Sequence, residues 1–145
     1  MKTLLIFIII YTSMIATSIW ESKIEQDKPW DKGKTGWKIK IRNKTILTSY
    51  HFWLFFITFP LLLSLPWIIS GFNKPLFGIL VSAYFSGLMI EDFFWFVVNP
   101  KFRIKNFNSN TATWYPWVKI WKFEIPIYYL FGVLISLLSW FFIWG

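Results

Sequence analysis

The sequence predicts an all-α integral membrane protein, with four transmembrane helices and a short amphipathic helix lying in the interface before the fourth. Three observations carry this. Hydrophobic residues make up 56% of the 145 residues and charged residues 15%, below the roughly 25% of soluble domains. Apolar runs occupy about 4–20, 50–70, 76–98 and 126–144, lengths suited to a bilayer core about 30 Å thick. Of the fifteen Lys and Arg, eight lie in 21–48 and five in 99–125, both segments flanking apolar runs. A soluble chain of this make-up would leave large apolar patches in water. The whole of 1–145 is expected to form one membrane domain.

The first run, Leu4 to Trp20, has a passable signal-cleavage pattern at Ala16-Thr17-Ser18. Cleavage there would leave thirteen Lys and Arg outside the cell, against the positive-inside rule, so an uncleaved span is expected. Residues 21–48 then form a polar loop with turns at Pro29, Gly33 and Gly36. From Trp37 to Lys44 apolar and basic residues alternate, which is a strand period. Trp37, Ile39 and Ile41 would share one face, with Lys38, Lys40, Arg42 and Lys44 on the other; an irregular loop is the equal alternative.

The second span runs from Tyr50 to Ser70, capped by Thr48 or Ser49, with a kink expected near Pro60. The short link 71–75 makes spans two and three an antiparallel hairpin. The third span carries two adjacent carboxylates, Glu91 and Asp92, and stops at Asn99-Pro100. Within 114–123, Pro116 as the first helical residue would set Lys119 and Lys122 on one side and Trp117, Ile120 and Trp121 on another. That is the interfacial helix. Pro126 opens the fourth span, with Glu124 near its positive end and Trp140 and Trp144 in an aromatic belt.

The charge asymmetry puts loops 21–48 and 99–125 in the cytoplasm and both termini outside, with the cell membrane as the expected location. Trp37, Lys38, Lys40, Trp114, Trp117, Lys119, Trp121 and Lys122 are the expected contacts with lipid and anionic headgroups. A homo-oligomer or a partner membrane protein is the other expected association; nucleic acid is not. Asn43-Lys44-Thr45 is a glycosylation sequon that a cytoplasmic loop leaves unused.

A carboxylate inside a span needs a partner or a water-lined cavity. On the third helix Glu91 shares a face with Ala83, Gly87, Trp95 and Asn99, beside a second small-residue row of Gly78, Ser82 and Ser86. A small pair, Gly132 and Ser136, lies on the fourth span. Asp92 points about 100° away from Glu91. With His51 and Arg103 at the same membrane side, Glu91, Asp92, His51, Asn99 and Arg103 form the candidate intramembrane polar cluster.

One His and no Cys leave no transition-metal set in a single chain, and haem would need His51 from two subunits, so no metal or cofactor is expected. Gly33-Lys34-Thr35 ends like a phosphate-binding loop, but Lys28 stands where the motif needs Gly. Three function classes follow. The first is a binding, accessory or assembly component with structural carboxylates. The second is a proton- or ion-coupled transporter or oligomeric channel using Glu91 and Asp92. The third is an intramembrane lipid-modifying enzyme with His51 and the carboxylates as acid and base.

Overall fold

The computed structural model describes residues 1–29, 36–41 and 44–145, with Ile41 and Lys44 as backbone only. Gly33, Lys34, Thr35, Arg42 and Asn43, and with them the phosphate-loop and sequon readings, lie outside the described residues. In chain order the elements are α1 (Lys2–Glu25), β1 (Lys38–Ile41), β2 (Lys44–Thr48), α2 (Ser49–Ser70), α3 (Lys74–Val98), a 3-10 turn (Ile104–Asn106), β3 (Trp117–Ile120), β4 (Phe123–Pro126) and α4 (Ile127–Trp144). All four helices are long and apolar enough to cross a membrane. At 1.5 Å per residue they span about 27–38 Å. Two small sheets accompany them.

The interfacial helix is not formed. Residues 117–126 are instead an antiparallel hairpin, pairing Trp117 with Pro126, Val118 with Ile125, Lys119 with Glu124 and Ile120 with Phe123. Trp121 sits in the left-handed region at φ 56°, which a helix does not admit. The β-branched Val118, Ile120 and Ile125 favour the pleated form. Helical and strand periods fit a run this short about equally well, and the turn and cross-strand pairs decide between them. Pro126 ends β4 and, as the N-cap, opens α4.

Residues 28–73 form one compact unit. Within the alternating run Lys38–Ile41 is a strand, one of the two readings held equal, and β1 pairs antiparallel with β2. The partner steps from Leu47 to Thr45 between Ile39 and Lys40, leaving Ile46 as a bulge. Gly36 precedes the ribbon at φ 92°, where a Cβ would lie 2.8 Å from the Ser49 Cβ. Thr48 caps α2 by accepting from the His51 N–H at 3.3 Å.

Ahead of Pro60, where a kink is expected, the helix takes a π-helical form over Phe52–Thr58. Proline lacks the N–H that would bond Phe56, and widening the preceding turns makes room for its ring. Further along, Ser64 donates to the Leu61 carbonyl at 2.7 Å and Ser70 to that of Pro66 at 2.6 Å. Gly71, at φ 78°, ends the helix.

The second unit comprises residues 1–27 and 74–145. Here α3 is the centre, with α1 on one face and α4 on another. The two small-residue rows serve different neighbours. Ala83 is fully buried, and a Cβ on Gly87 would lie 3.1 Å from Met14 Cγ and 3.3 Å from Ile10 Cγ2, so this row receives α1. Ser86 joins that side, its hydroxyl 2.9 Å from that of Tyr11.

Toward α4, the Ser82 and Ser136 hydroxyls each donate to the other's main-chain oxygen at 3.1 Å, and Ser139 donates to Gly78 O at 2.8 Å. Small residues let the helices come close enough for these bonds, which hold where apolar side chains alone discriminate poorly. Gly132 is where α4 comes against the main chain of α3. A Cβ there would lie 2.9 Å from Met89 Sδ and 3.2 Å from the Phe85 main-chain oxygen. Gly132→Leu is expected to destabilise the fold by about 1–3 kcal/mol in detergent thermal melts. Phe131→Leu, at an exposed neighbour, should leave the melting temperature unchanged.

Candidate functional site

The site is built on two adjacent acids of α3 that look in different directions. Seven residues, about 10 Å of helix, separate Glu91 from the end of α3. Glu91 is 6% exposed and faces α1. The buried seam of α1 runs Ile10, Met14, Ser18 and Ser22, with Glu21 beside it. Ser18 donates to the main-chain oxygen of Glu91, and the Glu21 side chain is hydrogen-bonded to that of Glu91. A carboxylate only accepts, so two carboxyls can bond each other only when one of them carries a proton. The other charges acting on Glu91 are also acidic, Asp92 and Glu25. Its Oε1 is buried with no hydrogen-bond partner among the described residues, as is Trp95 Nε1 one turn further on.

Asp92 turns toward α4 and the loop before β3. Tyr115 donates to its Oδ1, and Tyr129 donates to Oδ2 at 2.6 Å. Each carboxylate oxygen therefore has a hydroxyl donor, and such charge-assisted bonds are the stronger kind. Tyr129, Gly132, Ser136 and Ser139 lie at helical spacing along the face of α4 that meets α3. One turn past Asp92, Phe96 is fully buried beneath an aromatic layer. Its centroid lies 5.1 Å from Phe107 and 6.3 Å from Trp114, the latter stacked nearly parallel at 4°. Trp117 donates to Ala112 O at 2.8 Å and meets Phe107 at 5.1 Å. Trp114 and Trp117, expected as lipid contacts, are thus half-buried in this layer.

Asn99 closes the end of α3. Its Oδ1 accepts from the Lys101 and Phe102 N–H groups at 2.8 and 2.9 Å, and its Nδ2 donates to Gln26 O at 2.8 Å, tying in the end of α1. Glu124 does the same for the loop, its Oε2 accepting from Ser109 N at 3.0 Å. That N–H, helped by Lys119, holds the Glu124 carboxyl below the usual carboxylate range.

Of the expected cluster, Glu91, Asp92, Asn99 and Arg103 lie in the unit of 1–27 and 74–145 and His51 in that of 28–73. Glu91 and Asp92 are joined to Glu21, Tyr115 and Tyr129, and Asn99 to Gln26. Arg103 is exposed where the 3-10 turn begins, its carbonyl accepting from Asn106 N at 2.7 Å. His51 belongs to the 28–73 unit, where its Nδ1 lies 2.6 Å from Thr48 Oγ1 and its ring meets Tyr50 and Phe55. Of the expected surface residues, Trp37, Lys40, Lys119, Trp121 and Lys122 are exposed and Lys38 half-exposed. Among the described residues no group of three or more His, Asp or Glu is placed to hold a metal ion.

Sequence reasoning missed Glu21 by ending the first span at Trp20. The Ser18–Ser22 pair, small residues four apart, was the available signal that the packed face continues. Nothing in the local pattern marked Tyr115 or Tyr129.

Asp92→Ala would remove the acceptor of two part-buried hydroxyls, and a loss of about 2–4 kcal/mol is expected in chemical or thermal unfolding in detergent. Tyr129→Phe, which leaves Tyr115 in place, should cost about 1 kcal/mol. Glu124 has the opposite character, being a surface clasp. Its depressed folded pKa means the Ser109 contact contributes stability above the unfolded value of about 4.3 and loses it as pH falls through the lower folded value. Proteolysis of the 107–113 loop should accordingly quicken in that acid window, and in Glu124→Gln the acid response should disappear. Compared with protein-family models, with curated proteins and with solved structures, the chain matches none.

Proposed function

We propose that this chain is a small multi-pass membrane protein that works as a binding, accessory or assembly component, and that its intramembrane acids fasten its own helices. The observation that carries this reading is the destination of the two carboxyl groups. Glu91 engages Glu21 on α1, while Asp92 engages Tyr129 on α4 and Tyr115 in the loop. Intramembrane acids held by partners from the same chain act as interhelical ties. The basic loops 21–48 and 99–125 favour a cytoplasmic position for both, beside anionic headgroups. Exposed apolar side chains such as Leu61, Ile68 and Ile69 on α2, and Leu134 and Phe141 on α4, are then covered by lipid or by a second membrane protein.

A second reading, proton coupling, is favoured by one observation: two buried carboxyl groups, Glu21 and Glu91, meet each other, and Glu91 Oε1 is left over. The two readings separate in one set of proteoliposomes. Glu91→Leu removes the carboxyl that Glu21 meets and is expected to cost about 1–3 kcal/mol in unfolding. Glu91→Gln, whose amide can donate to Glu21, should retain most of the stability. Under the accessory reading, vesicles carrying the wild type should keep an imposed pH gradient as long as empty vesicles do. Rapid collapse of the gradient with the wild type, abolished in a well-folded Glu91→Gln, would replace that reading with proton transport.

A further inference from the structure

We infer that the tip of the β3–β4 hairpin is a lipid anchor, seating Trp121 and Phe123 at the headgroup–acyl boundary of a phospholipid leaflet with Lys122 toward a lipid phosphate. This rests on the membrane reading above. The hairpin is fixed at one end and open at the other. At its base Pro126 is buried and Trp117, Val118 and Ile125 are half-buried, with Trp117 held by the Ala112 carbonyl and the Phe107 ring. Toward the tip the side chains leave the protein. Ile120 is 46% exposed, Phe123 67% and Trp121 79%. Three large apolar side chains thus stand out together at a tight turn whose root does not move away with them.

The turn itself is costly. Trp121 takes the first central position at φ 56°, a place where glycine would sit without strain. A strained backbone holding a large exposed ring points to a use for that ring. The charges around it narrow the partner. Lys119 stands opposite Glu124 in the ladder, so the two offset each other. What remains at the tip is Lys122, its ammonium 5.1 Å from the centre of the Trp121 ring. Three apolar side chains and one cation suit the layer where Trp sits at the bilayer edge and Lys reaches phosphate.

Reach agrees. Four residues of β4 extend at most about 13 Å from the start of α4. The headgroup region is about 5–8 Å deep on each side, so a hairpin leaning along the surface keeps its tip inside it.

The chain has no cysteine, so Phe123→Cys gives a single labelling position. The full-length protein carrying an environment-sensitive fluorophore there would be reconstituted in phosphatidylcholine vesicles, with and without phosphatidylglycerol. Leu134→Cys on α4 and Lys105→Cys on the exposed 3-10 turn would be labelled as the lipid and water references. The anchor predicts that a spin label borne near the lipid headgroup quenches the Phe123 position several-fold more than the Lys105 position, with aqueous iodide giving the reverse order. Phosphatidylglycerol should strengthen the lipid quenching. Iodide quenching at Phe123 equal to that at Lys105, or shielding from both quenchers as under a protein partner, would overturn the anchor. Iodide reaching Leu134 as well would overturn the membrane reading itself. Adding Trp121→Gly should leave the melting temperature equal or higher, since glycine accepts the turn, while lipid quenching at Phe123 falls; unchanged quenching would remove Trp121 from the role.

Discussion

Two carboxyl groups on consecutive residues of an apolar helix cannot share one partner. Successive side chains on a helix diverge by about 100°, and neither acid is tolerated in an apolar interior without hydrogen bonds. Glu91 and Asp92 therefore require α3 to be covered on two faces at the same height. The chain meets that requirement with α1 on the Glu91 side and with α4 and the Tyr115 loop on the Asp92 side. The central position of α3 in its unit follows from this demand.

The small-residue rows make the arrangement possible. Ala83 and Gly87 lie on the Glu91 row and admit Met14 and Ile10 of α1, which brings Ser18 and Glu21 within bonding range. Gly78 and Ser82 lie on the other row and accept Ser139 and Ser136 of α4, which sets Tyr129 opposite Asp92. Close backbone approach and polar pairing are thus two parts of one contact. Further along α3 the same division continues in larger side chains. Asn99 ties in Gln26 at the end of α1, and Phe96 supports the aromatic layer of Phe107, Trp114 and Trp117 that roots the hairpin.

The two short hairpins show how the segments between apolar runs settle. In β1–β2, alternation from Trp37 onward outlasts a bulge at Ile46. In β3–β4, the Lys119–Glu124 and Ile120–Phe123 pairs and the left-handed Trp121 override a pattern that also reads as an amphipathic helix. Both place aromatic and basic side chains near helix ends.

The sequence alone determined the number and approximate limits of the apolar helices, because span length and hydropathy are properties of a run of residues and need no neighbour. It also determined that the Glu91 row and the Gly78 row meet other helices, since small residues four apart declare a packing face. Tertiary structure decided which helix each row meets, and hence the partners of the acids. Glu21 looked like the start of a polar loop, and nothing marked Tyr115 or Tyr129, until α1 and α4 were laid against α3. A carboxyl group's partner is chosen by proximity in space between residues 70, 23 and 37 positions apart, and no local periodicity encodes that distance. The choice of strand over helix at 117–126 belongs with it, because it turns on a cross-strand register and one left-handed residue that a short ambiguous pattern does not specify.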